Sequence, residues 1–233
     1  MDYQITPIKS RILVSKKIDY LKNISSVLFM SESKPACNVL LHSVKKTIPD
    51  CIFISVYSLD HALTVCKHYY FDVILIDMEN GIDLSRLVII RKMQPTGYVF
   101  AFTRNSGKLG FLAGKGNVDD VIDSPVSQNV LRENILTGLS NAMGNRRRLA
   151  IGEYNINKDV FILRANNWRM RQILKGKIGF SARDYKTSRI KLKAIALLLL
   201  KQLTKTQITY YAGFSTVQKM ILSLKRYPVV TID

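Results

Sequence analysis

The sequence predicts an α/β protein whose larger part is a five-stranded, doubly wound parallel sheet. Short apolar runs alternate along the chain with segments in which apolar residues recur at helical spacing. Continuous β-branched runs separated by helices are typical of a parallel sheet that is covered on both faces. Beyond about residue 144 the chain becomes strongly basic, which predicts a second, smaller α+β domain.

Five strands and four helices are predicted in the first 143 residues. Apolar runs indicate the strands, and the helical spacing of apolar residues between them indicates the helices. The predicted strands are 27–30, 52–54, 73–76, 99–102 and 118–122, and the predicted helices lie near 40–44, 59–66, 84–90 and 130–143. The segment 144–148 is expected to close the last helix and to start the basic part.

The positive charge is concentrated in the last third of the chain. The net charge is +18, yet residues 26–143 contain 11 basic and 11 acidic residues. Residues 144–233 contain 19 basic and four acidic residues, a net charge of +15. We therefore expect a basic extension (1–25), an electroneutral α/β domain (26–143) and a basic domain (144–233). A domain this cationic attracts polyanions, so we expect it to bind nucleic acid.

The basic domain is predicted to contain short strands followed by three helices. The strands are expected near 151–156, 160–164 and 168–173, and the helices near 188–202, 205–212 and 215–226. Gly213 lies between the last two helices, where a tight turn needs glycine. Thr204 or Ser215 is the expected N-cap. The order of helix, turn and helix predicts a helix-turn-helix or winged-helix domain.

The last predicted helix has an apolar and a polar face. Val217, Ile221 and Leu224 recur at helical spacing and are predicted to face the core. The remaining face is largely polar and basic, which suits phosphates and base edges in the major groove. The residues predicted to contact double-stranded DNA are Arg146, Arg147, Arg148, Lys205, Thr206, Ser215, Thr216, Gln218, Lys219, Leu222, Ser223, Lys225 and Arg226.

A carboxylate lies where the third predicted strand ends. In an open parallel sheet, chemistry gathers at the carboxyl ends of the strands, and Asp77 has that position. The segment FDVILIDMENGIDL, taken with 26–32, 100–103 and 118–125, resembles the receiver domain of bacterial two-component response regulators. The resemblance implies that Asp77 is the phosphoacceptor position, Thr103 the hydroxyl residue near the phosphoryl group, and Pro125 the proline after the last strand.

Three departures from the receiver pattern concern the same site. The acidic pair that holds Mg²⁺ in the family is Ser31-Glu32 here, and the lysine expected before Pro125 is Ser124. The loop after Asp77 lacks the usual proline and is one residue short. With one carboxylate and no lysine, the electrostatic support for phosphoryl transfer is weakened. We therefore expect a domain that does not require phosphorylation, no cofactor, and at most weak binding of Mg²⁺.

The basic domain resembles two kinds of effector domain. The spacing of Val217, Ile221 and Leu224, after the strand-like segment IGEYNINKDVFIL, resembles the winged helix of OmpR-type regulators. The region before Gly213 and the pair Thr216-Val217 resemble LuxR-type helix-turn-helix domains, which have no preceding strands. The strands favour the winged helix, and both interpretations stay open.

These patterns predict a DNA-binding transcriptional regulator of the response-regulator type that is not an enzyme. It is expected to form homodimers, with the last helix of the α/β domain as a candidate interface, or to bind another regulator or RNA polymerase. We expect no membrane association and a cytoplasmic location, since no membrane span or secretory signal is present. Two alternatives are a switch phosphorylated at Asp77, and an RNA-binding or assembly factor whose aromatic residues stack on bases.

Overall fold

The computed structural model describes residues 25–33, 35, 39, 42, 48, 51–78, 84–104, 118–148, 152–155, 160–163, 182–199 and 203–225. The strands among them are β1 (Ser25–Met30), β2 (Cys51–Val56), β3 (Val73–Asp77), β4 (Tyr98–Thr103), β5 (Asp120–Asp123), β6 (Gly152–Asn155) and β7 (Val160–Leu163). The helices are α1 (Leu59–Cys66), α2 (Leu84–Met93), α3 (Gln128–Arg148), α4 (Ala182–Leu199), α5 (Lys205–Ala212) and α6 (Val217–Lys225).

Strands β1 to β5 form one sheet in the order β2-β1-β3-β4-β5, and all neighbouring pairs are parallel. The predicted five-stranded, doubly wound sheet is therefore confirmed. Alternate residues of a strand are buried on opposite faces, as Val27 and Phe29 are on one face and Leu28 and Met30 on the other. We call β1 to β5 with α1 to α3 the sheet domain.

Helix α3 packs closely on one face of the sheet. Leu131 and Ile135 belong to the same buried apolar cluster as Phe100 of β4. Gly138 lies where the helix comes nearest to the strands, because a Cβ there would be 2.7 Å from Cε2 of Phe100 and 3.0 Å from Cγ2 of Val73. The interface has no room for a side chain at this position.

We expect Gly138→Val to lower the free energy of unfolding by about 1–3 kcal/mol, because it overpacks a filled interface. Gly144→Val is the matched control in the same helix, since a Cβ at Gly144 meets no atom within 4 Å. Urea unfolding followed by circular dichroism measures both values. Equal stability of the two variants would contradict the close packing of α3 on the sheet.

Helices α4, α5 and α6 pack on one another, and we call them the three-helix unit. Leu192 and Leu197 of α4, Ile208 of α5 and Met220 of α6 are buried in one apolar cluster. This cluster also contains core residues of the sheet domain, such as Tyr69. The apolar interior is therefore continuous between the two parts of the chain.

Helix α5 has the ends that the sequence predicts. Oγ1 of Thr204 accepts a hydrogen bond from the Gln207 N–H at 3.3 Å, and Oε1 of Gln207 accepts one from the Thr204 N–H at 2.9 Å. These two bonds form a capping box, which satisfies two backbone donors at the start of the helix. Gly213 ends the helix with a φ of 93°, in the left-handed region that favours glycine. The predicted N-cap at Thr204 and turn at Gly213 are confirmed.

Helix α6 begins at Val217 rather than at Ser215. Its N-cap is Thr216, whose Oγ1 accepts a hydrogen bond from the Lys219 N–H at 3.1 Å. The prediction of Ser215 as the N-cap is therefore wrong. Threonine and serine are adjacent here and both are good caps, so that the sequence alone does not decide between them.

The predicted core face of α6 is wrong in part. Met220 is the buried residue of the helix, whereas Val217, Ile221 and Leu224 are half-buried. Val217, Met220 and Leu224 follow the spacing of one helix face, and Ile221 lies at the edge of that face. The long, flexible Met220 side chain fills the space between the helices. Ser223, which was predicted to face outward, is half-buried.

Three predicted boundaries also differ from the structure. Helix α3 continues to Arg148 instead of ending at Met143, since the glycine at position 144 costs a helix only about 1 kcal/mol. Helix α4 begins at Ala182, six residues before its predicted start, because its first turns already pack against the sheet domain. Strand β5 begins at Asp120, and the preceding Asp119 uses its carboxylate to accept a bond from the Val99 N–H at 2.7 Å.

Strands β6 and β7 pair in antiparallel register, which confirms the first two predicted strands of the basic domain. Several predictions fall outside the described residues. They are the extension up to residue 24, all but residue 42 of the helix near 40–44, the strand near 168–173, Arg226, and the side chains of Arg146, Arg147 and Arg148.

Candidate functional site

Four of the predicted receiver-site residues lie at the carboxyl edge of the sheet. Ser31 directly follows β1, Asp77 ends β3, Thr103 ends β4, and Ser124 directly follows β5. Thr103 is buried, and its carbonyl accepts a hydrogen bond from the Ser124 N–H at 2.8 Å. The Ser124–Pro125 peptide bond is cis. Parallel topology thus brings to one edge residues that are far apart in the sequence.

A neutral hydroxyl group holds the Asp77 carboxylate. Ser31 is fully buried, and its Oγ donates a hydrogen bond to Oδ2 of Asp77 at 2.6 Å. The same Oγ accepts a hydrogen bond from the Ser33 N–H at 3.1 Å. This second bond fixes the orientation of the Ser31 hydroxyl group. Glu32 has an exposed side chain. A short bond from a hydroxyl to a carboxylate fixes the direction of that carboxylate.

The groups that the structure describes at this edge fit Mg²⁺ poorly. Magnesium prefers an octahedron of oxygens at about 2.1 Å, anchored by carboxylates and completed by water. Ser31 places a hydroxyl beside Asp77, and the neighbouring carboxylate of Glu32 is at the surface. Position 124 supplies a serine hydroxyl instead of an ammonium group. In the described part of this edge, Ser31 and Ser124 thus place neutral hydroxyl groups at two positions where the receiver pattern has charged side chains.

We expect Ser31→Asp to make the stability of the protein depend on Mg²⁺. The new carboxylate and that of Asp77 would be in contact and would repel each other until a divalent cation bound between them. Millimolar Mg²⁺ should raise the thermal midpoint of this variant by about 3 °C for each kcal/mol of binding energy. Ser33→Asp, at an exposed neighbouring position, is the control. If Mg²⁺ raised the thermal midpoint of the unchanged protein by the same amount, the poor fit of the site to Mg²⁺ would be contradicted.

A partly buried ion pair at the opposite edge of the sheet joins the sheet domain to the three-helix unit, and its arginine, Arg189, is 25% exposed. Asp72 directly precedes β3 and is 4% exposed. Its Oδ2 accepts hydrogen bonds from the Ser26 N–H at 2.8 Å and from Oγ of Ser26 at 2.9 Å. Nη1 of Arg189, in α4, lies 3.1 Å from the same oxygen. One carboxylate thus connects the starts of β1 and β3 to α4.

Further contacts surround this ion pair. Oγ of Ser188 accepts a hydrogen bond from the Tyr70 N–H at 2.8 Å. The rings of Tyr70 and Tyr185 are stacked, with centroids 6.0 Å apart. Burial, and then the charge of Asp184, raise the pKa of Tyr70 to about 12, so its hydroxyl stays neutral at physiological pH. The first turns of α4 are therefore fixed to the sheet domain by ionic, polar and aromatic contacts.

The contact between Asp72 and Arg189 was not predicted, because the two residues are 117 positions apart in the sequence. One signal was present. An acidic residue directly before a fully buried strand needs donors for its carboxylate. Asp72 directly precedes β3 and Asp77 is its last residue, so the two are about 16 Å apart along the strand. The three-helix unit therefore docks at the edge of the sheet that is opposite to Asp77.

Most of the predicted DNA contacts in the three-helix unit lie at its surface. Two of them are poorly placed for this role, since Ser223 is half-buried and the Thr216 hydroxyl caps α6. Gln207 and Tyr210, which were not among the predicted contacts, are exposed on α5. The predicted contacts that are exposed are Lys205, Thr206, Ser215, Thr216, Gln218, Lys219, Leu222 and Lys225.

Comparisons with known proteins concern the sheet domain. No family model and no curated protein matches the sequence. An uncharacterized protein from Neptuniibacter caesariensis is 17% identical, with a TM-score of 0.50 over 55% of this chain and 97% of its own. An adenylate cyclase from Rhodopirellula baltica is 18% identical, with a TM-score of 0.49 over 55% and 97%. A CheY-like receiver domain protein from Methanospirillum hungatei JF-1 is 15% identical, with a TM-score of 0.48 over 52% and 98%.

At these identities the likeness shows the fold alone. The strand order β2-β1-β3-β4-β5 is the order of the flavodoxin-like sheets to which receiver domains belong. The sheet domain therefore has a receiver-like α/β fold. As for the membrane, no helix in the described ranges is both long and apolar enough to span one.

Proposed function

We propose that this protein is a DNA-binding transcriptional regulator of the response-regulator type, whose receiver-like domain acts without phosphorylation. In this proposal the three-helix unit is a helix-turn-helix module, in which α5 lies across the DNA backbone and α6 enters the major groove. The sheet domain carries that module and presents it to DNA. The proposed location is the cytoplasm, and the proposed protein has no enzymatic activity.

The observation that carries this proposal is the cationic, exposed surface of α5 and α6. Lys205, Lys219 and Lys225 are all exposed, and they lie in a part of the chain with a net charge of +15. The left-handed Gly213 between the two helices provides the sharp turn that a helix-turn-helix needs. Cationic side chains on a short exposed helix suit the phosphates on either side of a groove.

The proposed independence from phosphorylation is supported by the site at Asp77. The hydroxyl of Ser31 already holds the carboxylate, and Ser124 stands where the receiver pattern has a lysine. The sheet domain then serves for placement, either by pairing two copies of the chain or by binding another regulator or RNA polymerase. Leu136 and Val130 are exposed apolar residues of α3, which is the proposed surface for such contacts.

Electrophoretic mobility shifts over a salt series test the proposal. The full chain should bind duplex DNA, and the logarithm of its affinity should fall linearly with the logarithm of the salt concentration. A single-stranded RNA of the same length is the comparison and should bind more weakly. Absence of duplex binding even at low ionic strength would overturn the proposed function.

One observation favours a second candidate, in which the chain is an RNA-binding or assembly factor. Tyr210 is 79% exposed, and its ring contacts that of Tyr211 with centroids 5.4 Å apart. Exposed aromatic rings on a cationic surface can stack on unpaired bases. A preference for single-stranded RNA over duplex DNA in the same experiment, lost in Tyr210→Ala, would favour this candidate.

A further inference from the structure

Leu222 is an exposed apolar residue on the side of α6 that is turned away from the protein core. Its side chain is 68% exposed, compared with 43% for Leu136 of α3 and 38% for Leu198 of α4. Met220, the buried residue of α6, is about 160° away around the helix axis, because successive residues are rotated by about 100°. Leu222 is therefore on the side of the helix that faces away from the protein.

Polar and basic side chains surround this leucine. Gln218 and Lys219 lie one turn before it, Lys225 lies almost one turn after it, and all three are exposed. Helix α6 has nine residues, which gives it a length of about 13 Å. An α-helix with its side chains is about 10–12 Å in diameter and the major groove of B-DNA is about 12 Å wide, so the exposed side of α6 can enter the groove.

We infer that Leu222 packs against the C5-methyl group of a thymine in the major groove, and that the protein binds duplex sites with thymine at that position. This inference rests on the proposed function. The thymine methyl is the apolar group that base edges present in the major groove. Contact with it removes apolar surface of both partners from water, while Lys219 and Lys225 reach the phosphates on either side.

Charge complementarity favours DNA over a second protein as the partner of this surface. Two copies of α6 that met through Leu222 would bring Lys219 and Lys225 of one copy close to the same lysines of the other. Like charges in such a contact repel each other and oppose pairing. The phosphates of a duplex have the opposite charge, and each one neutralised by a lysine releases a counterion.

The test compares thymine with uracil, which differ by this methyl group alone. Duplex sites are first selected from a random pool with the full chain, and each thymidine is then replaced in turn by deoxyuridine. Replacement at one position should weaken binding about fourfold, which is the factor that corresponds to one methyl group removed from water. Leu222→Ala should bind the thymine and uracil duplexes equally. Ile89→Ala, at an exposed apolar residue of α2 in the sheet domain, should keep the fourfold preference.

The outcomes separate this inference from the proposed function. If the unchanged protein binds a selected duplex equally well with thymine and with uracil at every position, Leu222 does not read a methyl group and the inference is overturned. The same holds if Leu222→Ala keeps the preference for thymine. If no duplex is bound at low salt, the proposed function fails together with the inference.

Discussion

Asp72→Ala is expected to lower the free energy of unfolding by about 3 kcal/mol or more. The substitution leaves the guanidinium group of Arg189 and both donors of Ser26 without their shared acceptor, in a site where Asp72 is 4% exposed. Removal of one partner from a buried pair costs about 3–5 kcal/mol, and because Arg189 is 25% exposed and stays partly solvated, we expect the lower end of that range. Urea unfolding of the full chain, followed by circular dichroism, measures this loss.

Asp60→Ala is the matched control. Asp60 forms an ion pair with Arg86 at 2.9 Å, but the two side chains are 78% and 41% exposed. Exposed pairs contribute less than about 1 kcal/mol, so the control should change stability little. The double variant Asp72→Leu/Arg189→Met should recover only the part of the loss that comes from the guanidinium group, because the two buried donors of Ser26 still lack their acceptor. Equal, small effects of Asp72→Ala and Asp60→Ala would contradict the docking of α4 at this edge.

The variant Lys219→Ala/Lys225→Ala is expected to weaken binding to duplex DNA on the order of 50-fold at about 0.1 M salt. Each phosphate contact contributes about 0.9 to the slope of log affinity against log salt, so two lost contacts reduce the slope by about 1.8. The weakening should be similar for all duplex sequences, because phosphate contacts do not read bases. Fluorescence anisotropy with a labelled duplex at several salt concentrations measures the affinity and the slope together.

Lys67→Ala/Lys92→Ala is the control for this variant. Both lysines are exposed in the sheet domain, and their removal lowers the net charge by the same amount. The slope of log affinity against log salt for the control should stay within about 0.5 of the slope for the unchanged protein. The reason is that Lys67 and Lys92 neutralise no phosphates and so release no counterions from DNA. If both double variants lose affinity and slope equally, binding depends on net charge alone and α6 is not in the groove.

The sheet domain could be predicted from the sequence because its strands are buried on both faces. Such strands are continuous apolar runs, which is why β3 and β4 were found at nearly their true bounds. The same parallel topology placed Asp77 at the carboxyl ends of the strands, whereas the positions of Thr103 and Ser124 in the site followed from the resemblance to receiver domains. What the sequence did not show is that Ser31 donates a hydrogen bond to Asp77, because a side-chain contact depends on register and rotamer.

Contacts across long sequence separations could not be predicted. The ion pair of Asp72 and Arg189 depends on how α4 packs against the sheet domain, and no local pattern contains that information. The core face of α6 was misjudged for a related reason, since three half-buried apolar residues surround the one that enters the core, Met220. The periodicity of apolar residues predicts which side of a helix packs against the protein. Which residue on that side is most buried depends on the neighbouring helices.

The central claim is that the receiver-like domain places the DNA-binding helices without being phosphorylated. The most direct test incubates the full chain with a small-molecule phosphodonor and Mg²⁺, then records its intact mass and its binding isotherm for a selected duplex. We predict no mass gain and the same isotherm before and after treatment. The gain of one phosphoryl group, lost in Asp77→Asn and accompanied by a change in DNA affinity, would contradict the account.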